Sequence, residues 1–135
     1  MKHKENVIRA VDGNRLFVQT WIPEEKPQGH IFLIHGFSEH SGRYAQWVEK
    51  FIGQNIKVSA MDLRGHGRSE GMRGHTPTYN HLLDDIETLI KHQGQEDNVP
   101  RFLYGQSLGG SLAINYGLRR YGKIRGIIAT SQWLR

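Results

Sequence analysis

A serine between two glycines is the residue of this chain with the clearest chemical potential. It lies in Gly105-Gln106-Ser107-Leu108-Gly109, a G-x-S-x-G pattern that follows a short apolar run and precedes a helical one. In that setting the chain turns sharply between a strand and a helix, and the turn exposes the serine hydroxyl at the edge of a sheet. We therefore predict Ser107 as a nucleophile, with Gly105 and Gly109 letting neighbouring backbone pass closely.

A serine nucleophile needs a base, and the sequence offers none after Ser107. No Asp, Glu or His occurs between Ser107 and Arg135. Where G-x-S-x-G marks a nucleophile, the acid and the base usually follow the serine in the chain. Because an unactivated hydroxyl is a weak nucleophile at neutral pH, we expect these 135 residues alone to hydrolyse esters feebly or not at all.

The histidines upstream of Ser107 are weaker candidates for chemistry. His35 ends an apolar strand expected beside that of Ser107, which makes it a candidate base. His40 and His66 lie in loops, where hydrogen bonding within the loop is expected. Surface positions are predicted for the others, which are His3, His30, His75, His81 and His92. Neither an H-E-x-x-H pattern nor a cysteine is present, so we expect no metal and no other cofactor.

The composition is that of a globular chain with an excess of positive charge. Hydrophobic residues make up 37%, charged residues 23%, and the net charge is +5. The basic cluster surrounds a helix end, where cations complement the helix dipole, and consists of Arg119, Arg120, Lys123 and Arg125. We therefore expect no nucleic-acid partner and at most peripheral membrane contact. No apolar run of signal-peptide or membrane-spanning length occurs, so a cytoplasmic location is expected.

Hydropathy patterns predict a hairpin followed by alternating strands and helices. Strand-like runs at 7–11 and 16–22 flank Asp12-Gly13-Asn14, which is typical of a hairpin turn. Further strands are predicted at 30–34, 56–63, 101–104 and 124–130, and helices at 44–52, 82–90 and 108–121. The order favours a single α/β domain over residues 1–135, with a mostly parallel sheet, an N-terminal antiparallel hairpin and helices on both faces.

Several polar residues and one glycine have predicted structural roles. Asp62 and Arg64 follow a strand and are expected to fix the glycine-rich turn after it through side-chain hydrogen bonds. Asp84 and Asp85 lie early in a predicted helix, where acidic groups suit the dipole. Gly53 is expected to end the helix over 44–52.

Three segments in order carry a resemblance to a known family. Residues 35–44 read HGFSEHSGRY, residues 62–71 read DLRGHGRSEG, and the pattern around Ser107 is the third. Together they resemble the α/β-hydrolases of the monoacylglycerol lipase and lysophospholipase group, of serine aminopeptidase S33 type. The resemblance covers nearly the whole chain but only about the first half of such an enzyme. The cap, the last strands, the acid and the base would lie beyond Arg135.

The resemblance implies both a reaction and a set of residues. The reaction is hydrolysis of carboxylic esters, with acylglycerols or lysophospholipids as substrates; the alternatives are a related serine peptidase or a non-catalytic portion that needs a complementary segment. Backbone N–H groups of Phe37 and Leu108 would bind the oxyanion, and their side chains would line an acyl site or belong to the core. His35, Gly36, Gly105 and Gly109 would support the loop and the turn.

The last predicted strand, from Ile124 to Thr130, has an outer edge without a predicted neighbour. Unpaired strand edges invite pairing with another chain. We therefore expect self-association or a complementary segment at this edge.

Overall fold

The computed structural model describes residues 1–93, 98–120 and 123–131. Its strands and helices alternate after an opening hairpin, as the sequence predicts. The strands are β1 (Lys2–Arg9), β2 (Arg15–Ile22), β3 (Gly29–Ile34), β4 (Ile56–Met61), β5 (Arg101–Gln106) and β6 (Gly126–Thr130). The helices are α1 (Ala45–Ile52), which a 3-10 turn at Ser41–Tyr44 precedes, α2 (Tyr79–Gln93) and α3 (Leu108–Arg119).

These strands form one sheet in the order β1-β2-β4-β3-β5-β6. β1 pairs antiparallel with β2, and β2 pairs antiparallel with β4, whereas β3 to β6 run parallel. At the end of β3, Ile34 lies beside Met61 of β4 on one side and Gly105 of β5 on the other. The loops after these three strands therefore meet at one edge, where parallel α/β sheets commonly hold their sites.

Helices cover both faces of the sheet, which confirms the predicted α/β class. On one face α1 packs through Val48 against a cluster that includes Ile31 and Val58. On the other face α2 and α3 cover a larger core around Phe32. Because both faces are covered, β3 is buried along its whole length, and its residues 31–34 form a continuous apolar run. No helix in the described part of the chain combines the length and hydropathy needed to cross a bilayer.

Some element boundaries differ from the predictions. β1 begins five residues before the predicted run at 7–11, because its charged side chains face solvent at a sheet edge and leave no apolar alternation. Gly53 follows the last residue of α1 as predicted, but its φ of −62° is right-handed. The left-handed residue there is Asn55, with φ of 63°. Tyr121, the predicted end of the third helix, lies outside the described residues.

Two predictions about polar residues were wrong: that His30 lies at the surface, and that Asp85 serves the dipole of its helix. His30 is fully buried, because β3 directs it onto the covered face, where it stacks on Phe32 and lies 2.8 Å from Ser59 Oγ. Asp85 is also fully buried, because it shares the inward face of α2. Its Oδ2 lies 2.6 Å from Nε of Arg64, so Asp85 serves an ion pair rather than the helix dipole.

The Arg64 side chain bonds none of the described residues of the glycine-rich turn, contrary to the prediction, and instead joins the start of that turn to two other elements. Its guanidinium bonds both carboxylate oxygens of Asp85, and its Nη1 lies 2.9 Å from Oδ2 of Asp12 in the hairpin turn. This hydrogen bond from Arg64 lowers the pKa of Asp12 to about 2. One side chain therefore joins the β1–β2 turn, the loop after β4 and helix α2.

Candidate active site

Ser107 lies between β5 and α3, at the carboxyl edge of the parallel strands. Its φ of 57° and ψ of −118° fall where non-glycine residues are rarely found, which indicates stored strain. Two backbone bonds hold it there: its N–H donates to the Thr130 carbonyl over 2.8 Å, and its carbonyl accepts from the Ser111 N–H over 3.1 Å. The strand–turn–helix geometry predicted for the G-x-S-x-G pattern is therefore present.

The glycines on each side of Ser107 lie in backbone contacts that exclude a side chain. A Cβ on Gly105 would collide with the Gly109 carbonyl and lie 2.7 Å from the Gly110 nitrogen. A Cβ on Gly109 would collide with the Ile34 carbonyl and lie 2.6 Å from the His35 oxygen. The first turn of α3 therefore packs directly on the ends of β3 and β5.

The β3 loop, residues 35–41, passes beside Ser107. A Cβ on Gly36 would lie 3.2 Å from the Ser107 Cβ, so these two residues are in contact. The Glu39 N–H donates to the Gly36 carbonyl over 3.2 Å, which closes a tight turn with Phe37 and Ser38 at its corners. Ser38 adopts a left-handed φ of 62°. The Phe37 N–H has no hydrogen-bond acceptor among residues 1–93, 98–120 and 123–131.

The Leu108 N–H, next to Ser107, likewise has no acceptor in the described part of the chain. As the first residue of α3, it has no intrahelical acceptor, and the Ser107 side chain does not cap the helix. The aligned peptide dipoles place partial positive charge at this helix start. The side chains of Leu108 and Phe37 differ in burial: Leu108 packs against the core, whereas Phe37 is 54% exposed.

His35 is buried beneath the β3 loop with both ring nitrogens bonded to backbone. Nε2 accepts the Leu63 N–H over 2.9 Å, so the proton resides on Nδ1 and is donated to the Gly36 carbonyl over 2.6 Å. Burial lowers the pKa of His35 to about 4, which keeps the ring neutral. With both nitrogens engaged, His35 supports the loop and is not placed as a base for Ser107.

The segment after β4 holds the far end of the β3 loop. Oδ1 of Asp62 accepts the Ser41 N–H over 2.7 Å, and its Oδ2 accepts the Arg68 N–H over 2.9 Å. The His66 ring meets the Phe37 ring edge-on, with 5.4 Å between centroids. Asp62 therefore plays the structural role that the sequence predicts.

The hydrogen bonds predicted for two loop histidines are present. His40 Nδ1 accepts the Gly42 N–H over 3.2 Å, and His66 Nδ1 lies 3.1 Å from the Arg64 carbonyl. Both rings therefore bond within their own loops.

Sequence patterns did not single out Glu39. In addition to its backbone N–H, its side chain also bonds Gly36 and so stabilises the turn of the β3 loop. Its Oε1 accepts the Gly36 N–H over 2.8 Å and the Tyr44 O–H over 2.9 Å. The available signal was spacing: an acidic side chain three residues after a turn can reach back to the first backbone N–H, as in helix capping boxes.

This arrangement brings Ser107 against Gly36, which precedes Phe37, and next to Leu108 at the start of α3. The Ser107 hydroxyl forms no hydrogen bond with any described residue, so no imidazole or carboxylate of that part of the chain activates it. Within the same residues, His, Asp and Glu side chains form no group of three that could hold a metal ion.

Comparisons with known proteins match this chain to hydrolases. The family model described as serine aminopeptidase, S33, matches residues 25–135. A monoacylglycerol lipase of Mycolicibacterium smegmatis is 34% identical over 125 residues, covering 92% of this chain and 45% of the relative. A carboxyl esterase from Bacillus coagulans, solved with glycerol, superposes with a TM-score of 0.85 at 30% identity and covers 96% of this chain.

A second solved structure, the monoacylglycerol lipase of Paleococcus ferrophilus, is 37% identical with a TM-score of 0.77 and covers 89% of this chain. The chain spans 44% of each of these two solved chains, less than half of their length. The matched region and the mostly parallel sheet confirm the resemblance noted in the sequence. The chain therefore belongs to the serine aminopeptidase S33 family of α/β-hydrolases.

Proposed function

We propose that this chain is the nucleophile-bearing part of a serine hydrolase that cleaves carboxylic esters of acylglycerols or lysophospholipids. The proposal is carried by one juxtaposition: strained Ser107 lies against Gly36, the residue before Phe37, and directly precedes Leu108 at the start of α3. The matched lipases and esterase support an ester substrate. The family's description as aminopeptidases keeps peptide cleavage as the alternative reaction.

The reaction follows from the roles assigned to these groups. Ser107 Oγ attacks the acyl carbonyl carbon, a base takes the hydroxyl proton, and the carbonyl oxygen becomes an oxyanion. The N–H groups of Phe37 and Leu108 stabilise that charge, and loss of one such donor typically lowers kcat by about 10²–10³. Collapse releases the alcohol with the proton, and water then hydrolyses the acyl-serine to free the fatty acid.

In a second candidate function, the chain is a portion of a hydrolase that is active only when a complementary segment binds it. The described residues supply Ser107 with no base, and removal of a triad histidine lowers kcat by about 10⁶ in a serine protease. We propose that the acid and the base come from a segment that docks at β6. In the whole protein this segment would belong to the same hydrolase fold.

The exposed edge of β6 supports this docking. Ile127 is 37% exposed and Ile128 is 41% exposed, and as neighbours in a strand they face opposite sides of the sheet. β6 carries no charged residue, whereas β1 at the other edge of the sheet carries Lys2, Lys4, Glu5 and Arg9. Charged edges resist pairing and uncharged apolar edges favour it. The occupant that fits is a strand that pairs with β6, accompanied by apolar cover for Ile127 on one face of the sheet and for Ile128 on the other.

The test combines the chain with the part of the P. ferrophilus lipase to which it does not align. Hydrolysis of monoacylglycerol, lysophospholipid and an aminoacyl p-nitroanilide is then measured. We expect ester hydrolysis that the Ser107→Ala variant abolishes and that the matched Ser111→Ala variant retains. Faster cleavage of the anilide than of either ester would replace the ester assignment by the peptidase one. Self-association of the chain without activity would contradict the complementary segment.

A further inference from the structure

The direction of the Phe37 N–H is set by the carbonyl of the residue before it. The Gly36–Phe37 peptide is planar and trans, so the Gly36 C=O and the Phe37 N–H point in opposite directions. Two donors hold that carbonyl: Nδ1–H of His35 at 2.6 Å and the Glu39 N–H at 3.2 Å. Whatever keeps these contacts in place therefore also aims the Phe37 N–H.

The turn that contains this peptide carries a conformational cost. Ser38 lies in the left-handed region, which disfavours a non-glycine residue. Gly36 has no side chain to anchor it, and its Cα lies close to Ser107 and to the Gln106 carbonyl. A tight turn with strain at one corner and a glycine at its start needs further contacts to keep one geometry.

Glu39 supplies those contacts through its side chain. Its Oε1 accepts from the N–H of Gly36 and from the O–H of Tyr44, so backbone and carboxylate of Glu39 bind the same glycine. Burial and the neighbouring carboxylate raise the pKa of Tyr44, which keeps its O–H a donor. Nη1 of Arg43 lies 3.7 Å from Oε2 and offsets part of the negative charge. Two hydrogen bonds therefore hold Oε1, and an exposed cation lies near Oε2.

We propose that Glu39 is a positioning residue for the reaction proposed above, on which this inference rests. Its carboxylate fixes Gly36, and through the planar Gly36–Phe37 peptide it directs the Phe37 N–H towards the oxyanion beside Ser107. Glu39 itself touches neither the substrate nor the reacting oxygen. A charged acceptor strengthens these bonds relative to a neutral one, and its two donors and Arg43 limit its repulsion of the developing oxyanion.

Two substitutions separate the effect of the Glu39 hydrogen bonds from the effect of side-chain size. Glu39→Gln keeps an accepting oxygen, whereas Glu39→Ala removes it; Glu49→Ala, on the exposed side of α1, is the matched control. We expect Glu39→Ala to shift the Phe37 amide signal in ¹⁵N spectra of the full chain and to speed hydrogen exchange of Gly36. The Leu108 amide and the Glu49→Ala spectrum should not change. Tyr44→Phe, which removes only the O–H that holds Glu39, should give a smaller shift at Phe37.

The reactive readout is fluorophosphonate labelling of Ser107 in the presence of the complementary segment. We expect Glu39→Ala to slow labelling by about 10-fold or more, short of the 10²–10³ for a lost donor, and Glu39→Gln to restore most of the rate. Unchanged labelling and an unchanged Phe37 amide in Glu39→Ala would overturn the proposal, as would a Glu39→Gln variant as slow as Glu39→Ala. If the unsubstituted chain is not labelled even with the complementary segment present, the proposed function fails, and the amide spectra of Glu39→Gln and Tyr44→Phe still decide the role of Glu39.

Discussion

The Leu63 N–H, two residues after β4, donates to Nε2 of His35 over 2.9 Å. This bond fixes the proton on Nδ1, where it is donated to the Gly36 carbonyl. A backbone N–H from one loop thus determines the hydrogen-bonding pattern of the neighbouring loop. The arrangement requires a neutral imidazole, because a protonated Nε2 could not accept from Leu63.

This requirement predicts a pH dependence of stability. Burial lowers the pKa of His35 from 6.5 to about 4 in the folded state. As pH falls through 6.5 the unfolded chain takes up a proton and the folded chain does not, so unfolding becomes easier until about pH 4. The His35 contribution, on the order of 3 kcal/mol, is therefore complete above that window and lost across it.

Urea unfolding at about pH 7.5, 5.5 and 4.5 measures this contribution, because these pH values span roughly the titration of a free histidine. His35→Asn should flatten the fall in the free energy of unfolding across the window. His92→Gln, at an exposed position of α2, is the control and should retain it. An equal slope in His35→Asn and the unsubstituted chain would contradict this origin.

Close backbone packing predicts that Gly109 tolerates no side chain. Gly109→Ala places a methyl group against the Ile34 and His35 carbonyls, and such overpacking typically costs about 1–3 kcal/mol. Gly53→Ala is the matched control, because a Cβ there meets the Glu49 oxygen at an ordinary 3.5 Å and φ is right-handed. The Gly53→Ala variant should be more stable than the unsubstituted chain, by less than about 1 kcal/mol. Equal unfolding midpoints for both variants would show that α3 is not held against β3 in this way.

The buried Arg64–Asp85 pair predicts a large loss when one partner is removed. Arg64→Met leaves the fully buried Asp85 without its cation and should lower the free energy of unfolding by about 3–5 kcal/mol. Lys91→Met, which breaks an exposed pair with Glu87, should cost less than about 1 kcal/mol. Replacing Asp85 by Leu together with Arg64→Met should recover much of the loss, and no recovery would contradict an unpaired charge as its cause.

The strained backbone of Ser107 predicts a trade of stability for reactivity. Ser107→Gly relieves the positive φ, whereas Ser107→Ala keeps a Cβ in the same strained turn. After the entropic cost of glycine, we expect the Gly variant to be more stable than the Ala variant by roughly 1 kcal/mol. Thermal unfolding of the two variants compares them directly. An Ala variant that is as stable as the Gly variant would show that the turn carries no such strain.

Much of the scaffold was predictable because its signals are local. Residues 31–34 of the central strand β3 are a continuous apolar run, and the Ser107 turn has glycines at the spacing that the close packing of α3 demands. The charged edge strand β1 lacks such a pattern, so its first five residues were missed. Its assignment depends on pairing with β2, which single-strand hydropathy does not contain.

Residues that act through distant partners were harder to predict. Asp85 and His30 are polar, and their burial depends on Arg64 and Ser59, which lie 21 and 29 residues away along the chain. Glu39 was missed for another reason: its bonds are local, but they form only because Ser38 adopts a left-handed conformation. Ser107, Phe37 and Leu108 could be proposed as site residues from motifs and from the resemblance, whereas the contacts of Glu39 with Gly36 and Tyr44 required coordinates.

The most direct test of the account is the rate at which a fluorophosphonate labels Ser107, followed by intact mass. We predict little or no labelling of the chain alone, labelling after addition of the complementary hydrolase segment, and none in Ser107→Ala under either condition. Rapid labelling of the isolated chain, or labelling with the segment that persists in Ser107→Ala, would contradict the account.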